Sequence, residues 1–165
     1  MRTLHLGARA FIPVALAGTI LFSVAPSTPA AAAATTEAQQ IVAIAKAQRG
    51  DPWRYGASGP SAFDCSGLVI YAYKKAGDGR AIRAGTLRSA RTIYLYFKSR
   101  GKASRTNPKL GDLVVWGRGS HIGIYIGNGK AISTLRNGVR IHGVHAVSAR
   151  FTAYLHTGMS TKPAS

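Results

Sequence analysis

The sequence predicts an α+β domain in which N-terminal helices pack on an antiparallel sheet of about five strands. Apolar residues recur at helical spacing up to about residue 100, and they alternate with a period of two after it. Turns that contain Gly and Asn separate the alternating segments. Helices followed by an antiparallel sheet are typical of the α+β class.

Residues 1–34 have the three parts of a secretory signal peptide. Two arginines lie near the start, residues 10–24 form an apolar core shorter than a membrane span, and a run of alanines follows. We therefore expect export by a Sec-type signal with cleavage near Ala34. The remaining residues, 35–165, suffice for a single domain with one core.

Three helices are predicted, each from a start signal and a stop signal. Their expected bounds are Thr36 to Gln48, Asp64 or Cys65 to Ala76, and Thr86 to Gly101. Thr36 and Thr86 are the expected N-caps of the first and third helices, because a threonine hydroxyl can accept a hydrogen bond from a free N–H of the first turn.

Five strands are predicted after the helices. Their expected ranges are 112–116, 122–126, 130–135, 139–144 and 151–156. Gly127-Asn128-Gly129 separates the second strand from the third, and Asn137-Gly138 gives a strong hairpin signal between the third and the fourth.

The charge of the chain favours anionic partners. The whole sequence has 22 basic and five acidic residues. Two basic residues and no acidic residue lie in 1–34, so the formal net charge of residues 35–165 is +15. A basic surface of this kind attracts polyanions such as anionic polymers of a cell wall. The basic residues are scattered without interleaved aromatic residues, so we expect no nucleic-acid partner.

Cys65 is the single cysteine, and it lies at the expected start of the second helix. Free N–H groups and the helix dipole at such a position stabilise a thiolate, and the same N–H groups can hold an oxyanion. The neighbouring Ser66 and Gly67 have small side chains that leave room for a substrate carbonyl. These features predict a nucleophile with a lowered pKa, although the charge of Asp64 opposes this shift. The alternative is a cysteine that packs as a small apolar residue.

Three ordered motifs resemble the NlpC/P60 peptidases of bacterial cell walls. They are Asp64-Cys65-Ser66-Gly67-Leu68-Val69, Lys109-Leu110-Gly111-Asp112-Leu113-Val114 and His121-Ile122-Gly123-Ile124-Tyr125-Ile126-Gly127. The resemblance implies a papain-like fold. It also implies cysteine-dependent hydrolysis of peptidoglycan stem peptides, typically at the bond between D-γ-glutamate and a diamino acid. We further expect a monomer that associates with the wall and needs no cofactor.

By motif position, Cys65 matches the family nucleophile and His121 the family base. A base at the start of a strand, after a glycine-rich loop, can project into a cleft, and it needs a third group to orient its imidazole. The family usually places His, Asn or Gln twelve positions after the base, where this chain has Ser133.

The hairpin registers decide which side chains can reach His121. A three-residue loop at 127–129 places Ser133 on the face of His121, whereas a two-residue loop turns Ser133 away. A two-residue Asn137-Gly138 turn places His142 directly opposite Ser133. We therefore hypothesise that His142, directly or through Ser133, supplies the orienting group.

Two aromatic residues are candidate donors to the oxyanion. The family often has a tyrosine twelve residues before the nucleophile, where this chain has Trp53, whose indole N–H is also a donor. Tyr55 is the other candidate, and both rings are equally consistent with walls of the cleft. No metal site is predicted, because one cysteine and dispersed histidines do not make a ligand set.

Two other functions remain open at this stage. A thiol acyltransferase or amidase would use the same site on a different acyl group. A module with a weakened site would bind the wall by charge alone, and its binding would survive Cys65→Ala and fall with salt.

Overall fold

The computed structural model describes residues 35–164, in which three helices precede a six-stranded antiparallel sheet. The elements are α1 (Glu37–Ala47), α2 (Cys65–Lys75), α3 (Ala90–Lys98), β1 (Ala103–Ser104), β2 (Leu113–Trp116), β3 (His121–Gly127), β4 (Lys130–Leu135), β5 (Gly138–Gly143) and β6 (Phe151–Leu155). The predicted α+β class is confirmed, with one short strand more than expected. The predicted signal peptide at 1–34 lies outside the described residues.

The helix starts are set by local capping. Thr36 caps α1 as predicted, because its hydroxyl accepts from the Gln39 amide and the Gln39 side chain accepts in return from the Thr36 amide. The expected N-cap of the third helix, Thr86, is wrong. Ser89 caps α3 instead, through a reciprocal pair of hydrogen bonds with Thr92.

The sheet has the strand order β1-β6-β2-β3-β4-β5. The core between the helices and the sheet contains fully buried side chains from both layers, such as Ile41, Leu68, Ile93, Ile122 and Ile132. This packing brings the start of α2 close to β3, because α2 lies against β3 and β4. Among residues 35–164, no helix is long and apolar enough to cross a membrane.

The β3–β4 hairpin combines a two-residue turn with a bulge. Gly127 pairs with Lys130, so the turn is Asn128-Gly129, and both turn residues have positive φ. The register then shifts between Tyr125 and Gly127, and Ile124 pairs with Ile132. The extra residue in β3 therefore restores the pairing expected from a longer loop.

This bulge places Ser133 on the face of His121. With Ile124 opposite Ile132, Ser133 lies opposite Gly123, two residues from His121 along β3. Ser133 is fully buried there. A Cβ added to Gly123 would lie 2.8 Å from the Cβ of Ser133 and 2.6 Å from the Ile132 carbonyl oxygen. The absence of a side chain at Gly123 is therefore what leaves room for Ser133.

The register expected for the β4–β5 hairpin is wrong by two residues, because the turn lies one residue earlier than expected. Leu135 pairs with Gly138, so Ser133 lies opposite Arg140 and His142 lies opposite Ala131. Gly138 has a φ of 96° and follows the turn, rather than occupying a central position of it. His142 is therefore diagonal to Ser133, although it lies on the expected face.

Candidate active site

The start of α2 is held by Asp64. Its carboxylate accepts hydrogen bonds from the Gly67 amide at 2.6 Å and the Gly56 amide at 3.0 Å. The Arg88 guanidinium donates to both carboxylate oxygens, at 2.7 and 3.1 Å. Burial by itself raises the pKa of Asp64, but the hydrogen bonds from Arg88 and Gly67 outweigh it and leave that pKa below its ordinary value. Asp64 is therefore a charged cap beside the candidate nucleophile.

Ser66 and Gly67 belong mainly to this scaffold. The Ser66 hydroxyl donates to Asp64 at 3.1 Å and accepts from Arg88 at 2.7 Å. The Gly67 amide is taken by Asp64, and a Cβ at this position would clash with the Ala57 carbonyl oxygen. Gly67 is therefore a packing position at the helix start and does not line the groove, whereas Ser66 does.

Cys65 lines an open groove of about 460 Å³ together with His121. Cys65 is partly exposed. Burial and the charge of Asp64 raise the pKa of the thiol, and the backbone N–H groups of Ile122 and Ser66 offset this only in part. The expected lowered pKa is therefore wrong, because desolvation exceeds the effect of the helix start.

Free N–H groups remain beside the thiol. Within residues 35–164, the amides of Cys65 and Ser66 donate no hydrogen bond to an oxygen atom, and both interact with the Cys65 thiol. They are the first two amides of α2, which have no partner inside the helix. They can therefore donate to a negatively charged oxygen that forms next to Cys65.

A hydrogen-bonded relay leads away from His121. The Nε2 atom of His121 lies 2.9 Å from the Ser133 hydroxyl, which lies 2.7 Å from the Nε2 atom of His142. The Nδ1 atom of His142 lies 3.0 Å from the Gly143 carbonyl oxygen. This arrangement agrees with the hypothesis that His142 acts through Ser133.

The Gly143 carbonyl fixes the direction of the relay. A carbonyl only accepts, so Nδ1 of His142 carries the proton and Nε2 of neutral His142 accepts from Ser133. The Ser133 oxygen then accepts from Nε2–H of His121. Neutral His121 is thereby left with an unprotonated Nδ1, which is the tautomer that a base needs.

His121 is neutral at rest. Burial and the neighbouring His142 lower the pKa of His121 to about 4. Among residues 35–164, no hydrogen bond joins its ring to Cys65, although both side chains line the groove. The rings of His121 and His142 pack against buried Trp116, with centroids at 5.2 and 5.6 Å. The resting pair is therefore a thiol and a neutral imidazole.

The two aromatic candidates line the groove, as do several residues that the sequence analysis did not identify. Trp53 is 36% exposed and Tyr55 is 87% exposed, so Tyr55 lies at the rim. In the described part of the chain neither side chain forms a hydrogen bond, so their roles as donors to the oxyanion remain predictions. The residues missed were Arg88, Thr134 and Arg136, which line the groove, and Trp116, which is buried behind His121 and His142. No local pattern marks them, because they reach the site through tertiary packing.

Comparison with known proteins places the chain in a family. Residues 50–157 match the NlpC/P60 family. The probable endopeptidase p60 of Listeria monocytogenes is 36% identical over 108 residues, which are 64% of this chain and 20% of that protein. The murein DD-endopeptidase MepH of Escherichia coli is 41% identical over 100 residues, which are 57% of this chain and 35% of MepH. The chain therefore spans well under half the length of these two relatives.

Solved structures share the fold. The NlpC/p60 domain of the peptidoglycan hydrolase SagA is 26% identical with a TM-score of 0.53, and the match covers 71% of this chain and 97% of that domain. RipD from Mycobacterium tuberculosis, described as a non-catalytic NlpC/p60 protein adapted to peptidoglycan binding, is 24% identical with a TM-score of 0.56. That match covers 73% of this chain and 96% of RipD.

Proposed function

Because the chain belongs to the NlpC/P60 family, we propose that it is a secreted cysteine endopeptidase that hydrolyses peptidoglycan stem peptides. The observation that carries the proposal is the relay from His121 through Ser133 to His142, beside a groove that contains Cys65. Relatives named as endopeptidases support this chemistry. The proposed bond is that between D-γ-glutamate and the diamino acid.

The neutral pair determines the first chemical step. As Sγ of Cys65 attacks the carbonyl carbon of the amide, the thiol proton passes to Nδ1 of His121. The carbonyl oxygen becomes negative, and the free amides of Cys65 and Ser66 stabilise it. Proton transfer and attack are therefore coupled, because neither the thiolate nor the imidazolium is favoured at rest.

The remaining steps return the site to its resting state. The tetrahedral intermediate collapses, the C–N bond breaks, and His121 gives its proton to the leaving amine. A water molecule then loses a proton to His121 and attacks the thioester carbonyl, and the C–S bond breaks. Cys65 recovers its proton, and the products are a carboxylic acid and an amine.

The relay stabilises the charge that His121 gains during this cycle. When Nδ1 is protonated the ring is a cation, and its Nε2–H donates a stronger, charge-assisted hydrogen bond to Ser133. Ser133 can accept that bond because it donates its own proton to His142. The two residues therefore act together as the third catalytic group.

Digestion of purified peptidoglycan tests the proposal. The purified protein should release fragments that end at the cleaved bond, and mass analysis of these fragments identifies the bond. Cys65→Ala and Cys65→Ser should release none, because a serine hydroxyl is too weak a nucleophile without a stronger base. Fragments that end at a different bond, such as one of the DD type in the name of the murein DD-endopeptidase MepH, would correct the proposed bond but leave the mechanism in place.

We also propose that charge holds the protein on anionic wall polymers. Three of the five acidic residues form ion pairs with Arg88 or Lys162, and a fourth, Asp112, forms a hydrogen bond with His156. In the described part of the chain, the other lysines and arginines have no carboxylate partner within ion-pair distance. Moderate salt should therefore release the protein from isolated walls, whereas retention in molar salt would contradict this idea.

A non-catalytic wall-binding module is the second candidate. The fold likeness to RipD and the raised pKa of the thiol favour it. Such a module would bind peptidoglycan equally well with and without Cys65 and would release no fragments. The digestion experiment separates the two candidates directly.

A further inference from the structure

A second cavity continues the groove beyond His121. It has a volume of about 190 Å³ and shares Trp53, His121, Thr134 and Arg136 with the groove. Its far wall is formed by residues 147–149, and Cys65 does not line it. The cavity therefore extends from His121 without reaching the nucleophile.

This position identifies the part of the substrate that would enter the cavity. The acyl half of the substrate becomes attached to Sγ, whereas the amine half receives its proton from His121. The leaving nitrogen must therefore lie next to the imidazole. The residue that bears this nitrogen extends from His121 into the space lined by Thr134 and Arg136.

Arg136 gives this cavity a positive charge without an internal partner. Its guanidinium lies over the Trp53 ring, 5.0 Å from the centroid, and its side chain is exposed. Arg136 forms no ion pair or hydrogen bond with another of residues 35–164. Arg88, which lines the groove but not the second cavity, is already bound to Asp64. Of the two arginines that line the groove, Arg136 is therefore the one whose N–H donors are free to bind a ligand.

Thr134 adds a second free donor. It is 2% exposed, lines both the groove and the second cavity, and its hydroxyl has no hydrogen-bond partner among the described residues. A buried hydroxyl without a partner is costly unless a ligand supplies one. A guanidinium and a hydroxyl on one cavity wall match the acceptor oxygens of a carboxylate.

We propose that this cavity selects substrates whose leaving residue carries a free carboxylate, which Arg136 and Thr134 bind. The inference rests on the proposed function. For a stem peptide, the carboxylate is either the α-carboxylate of the diamino acid or the carboxylate at the far end of its side chain. Trp53 holds the guanidinium in place by stacking, so the cation is oriented before the substrate arrives.

The experiment compares three synthetic stem peptides that differ only at the diamino acid. In one peptide both carboxylates are free, in the second the α-carboxylate is amidated, and in the third the side-chain carboxylate is amidated. Hydrolysis is measured with the wild-type protein and with Arg136→Gln, Thr134→Val and Lys130→Gln. Lys130 is exposed at the other end of β4, so its variant removes the same charge without entering the groove.

The wild-type protein should discriminate against one of the two amidated peptides by about tenfold in kcat/KM, which is the magnitude of one charge-assisted contact. Arg136→Gln should remove this discrimination by slowing hydrolysis of the two peptides that keep the bound carboxylate, without slowing hydrolysis of the third. Thr134→Val should reduce the discrimination, and Lys130→Gln should preserve it. Equal rates on all three peptides, or discrimination that survives in Arg136→Gln, would overturn the inference.

Binding to the Cys65→Ala protein, measured by calorimetry, separates this inference from the proposed function. Suppose that the wild-type protein hydrolyses no peptide, but the Cys65→Ala protein binds the peptides that keep the bound carboxylate about tenfold more tightly than the third, and only when Arg136 is present. The cavity assignment then stands and the endopeptidase proposal fails. If peptides are hydrolysed without a carboxylate preference, the reverse holds. If no peptide is hydrolysed or bound, both fail.

Discussion

Replacement of Ser133 by alanine tests the relay directly. Ser133 is fully buried and accepts from His121 at 2.9 Å, while it donates to His142 at 2.7 Å. Without its hydroxyl, the Nε2–H of His121 has no acceptor. At rest the ring is neutral, because its pKa is about 4, and the loss is modest. In the transition state the ring is a cation, so the loss is larger.

The magnitude follows from this difference between the two states. A buried hydrogen bond to a charged group contributes about 2 kcal/mol, which corresponds to roughly a 30-fold decrease in kcat. Replacement of His142 by alanine leaves Ser133 in place but removes the acceptor that fixes the direction of its proton. That change should cost about 1 kcal/mol, or roughly fivefold in kcat. The double variant should be no slower than Ser133→Ala alone.

The assay is the kcat and KM of each variant on a stem peptide, with the free energy of unfolding measured by denaturant in parallel. Ser104→Ala is the matched control, because the Ser104 hydroxyl lies 2.7 Å from Nε2 of His156, outside the groove. It removes a similar hydroxyl–imidazole contact and should lower stability while leaving kcat unchanged. A full pH–rate profile adds a second readout, since a misplaced tautomer changes the profile and a loss of stability alone does not.

Three results would refute this reasoning. If Ser133→Ala left kcat unchanged, the hydroxyl would have no part in catalysis. If His142→Ala left turnover unchanged while Ser133→Ala reduced it, His142 would be a structural residue only. If the two effects on kcat multiplied in the double variant, the residues would act independently and not as a relay.

Three further predictions follow from the same geometry. The rate at which iodoacetamide alkylates the Cys65 thiol should keep rising through the pH range in which free cysteine ionises, and a plateau of this rate below neutral pH would contradict the raised pKa. The value of kcat/KM should fall below about pH 4, where His121 becomes protonated. Arg88→Gln should raise the pKa of Asp64 and weaken the helix cap by roughly 1 kcal/mol. The lowered pKa stabilises the wild-type protein above the ordinary pKa of an aspartate, and this stability is lost as the pH falls, so urea midpoints measured against pH should show a smaller pH dependence in the variant. Gly123→Ala should cost about 2 kcal/mol of stability and most of the activity, because its Cβ would lie 2.8 Å from the Cβ of Ser133. Gly143→Ala is the control: its Cβ meets nothing closer than 3.4 Å, so the variant should behave like the wild-type protein in urea unfolding and in the peptide assay.

The sequence was a good guide where structure is determined locally. The periodicity of apolar residues predicted α1, α2 and the five longer strands within a few residues, since helices and strands bury one face each. Thr36 and Asp64 were recognisable as helix starts, because a cap is formed within four residues of the chain. The two-residue strand β1 was missed, since it is held by its pairing with β6 and has no pattern of its own.

The sequence was a poor guide where a single residue shifts a register or a pKa. The bulge in β3 shifts the β3–β4 pairing by one residue, and the β4–β5 hairpin shifts the partner of Ser133 by two residues, from His142 to Arg140; no turn rule predicted either shift. The pKa of Cys65 was expected to fall because helix position is visible in the sequence, whereas the desolvation that raises it is a property of the folded site. Ser133 and His142 nevertheless lie together, because a shift of two residues keeps the same face of a strand and the bulge in β3 keeps Ser133 on the face of His121.

The presence of serine at the third position explains why a second histidine is needed. An amide or an imidazole can present an acceptor to His121 without further help, but a hydroxyl rotates and can donate or accept in either direction. If Ser133 donated to His121, the proton of the imidazole would lie on Nδ1 and the base would be lost. His142 prevents this, since its Nδ1 is bound to the Gly143 carbonyl and its Nε2 must accept. The backbone of β5 thus determines which nitrogen of His121 is free, and the serine works only as one member of that chain.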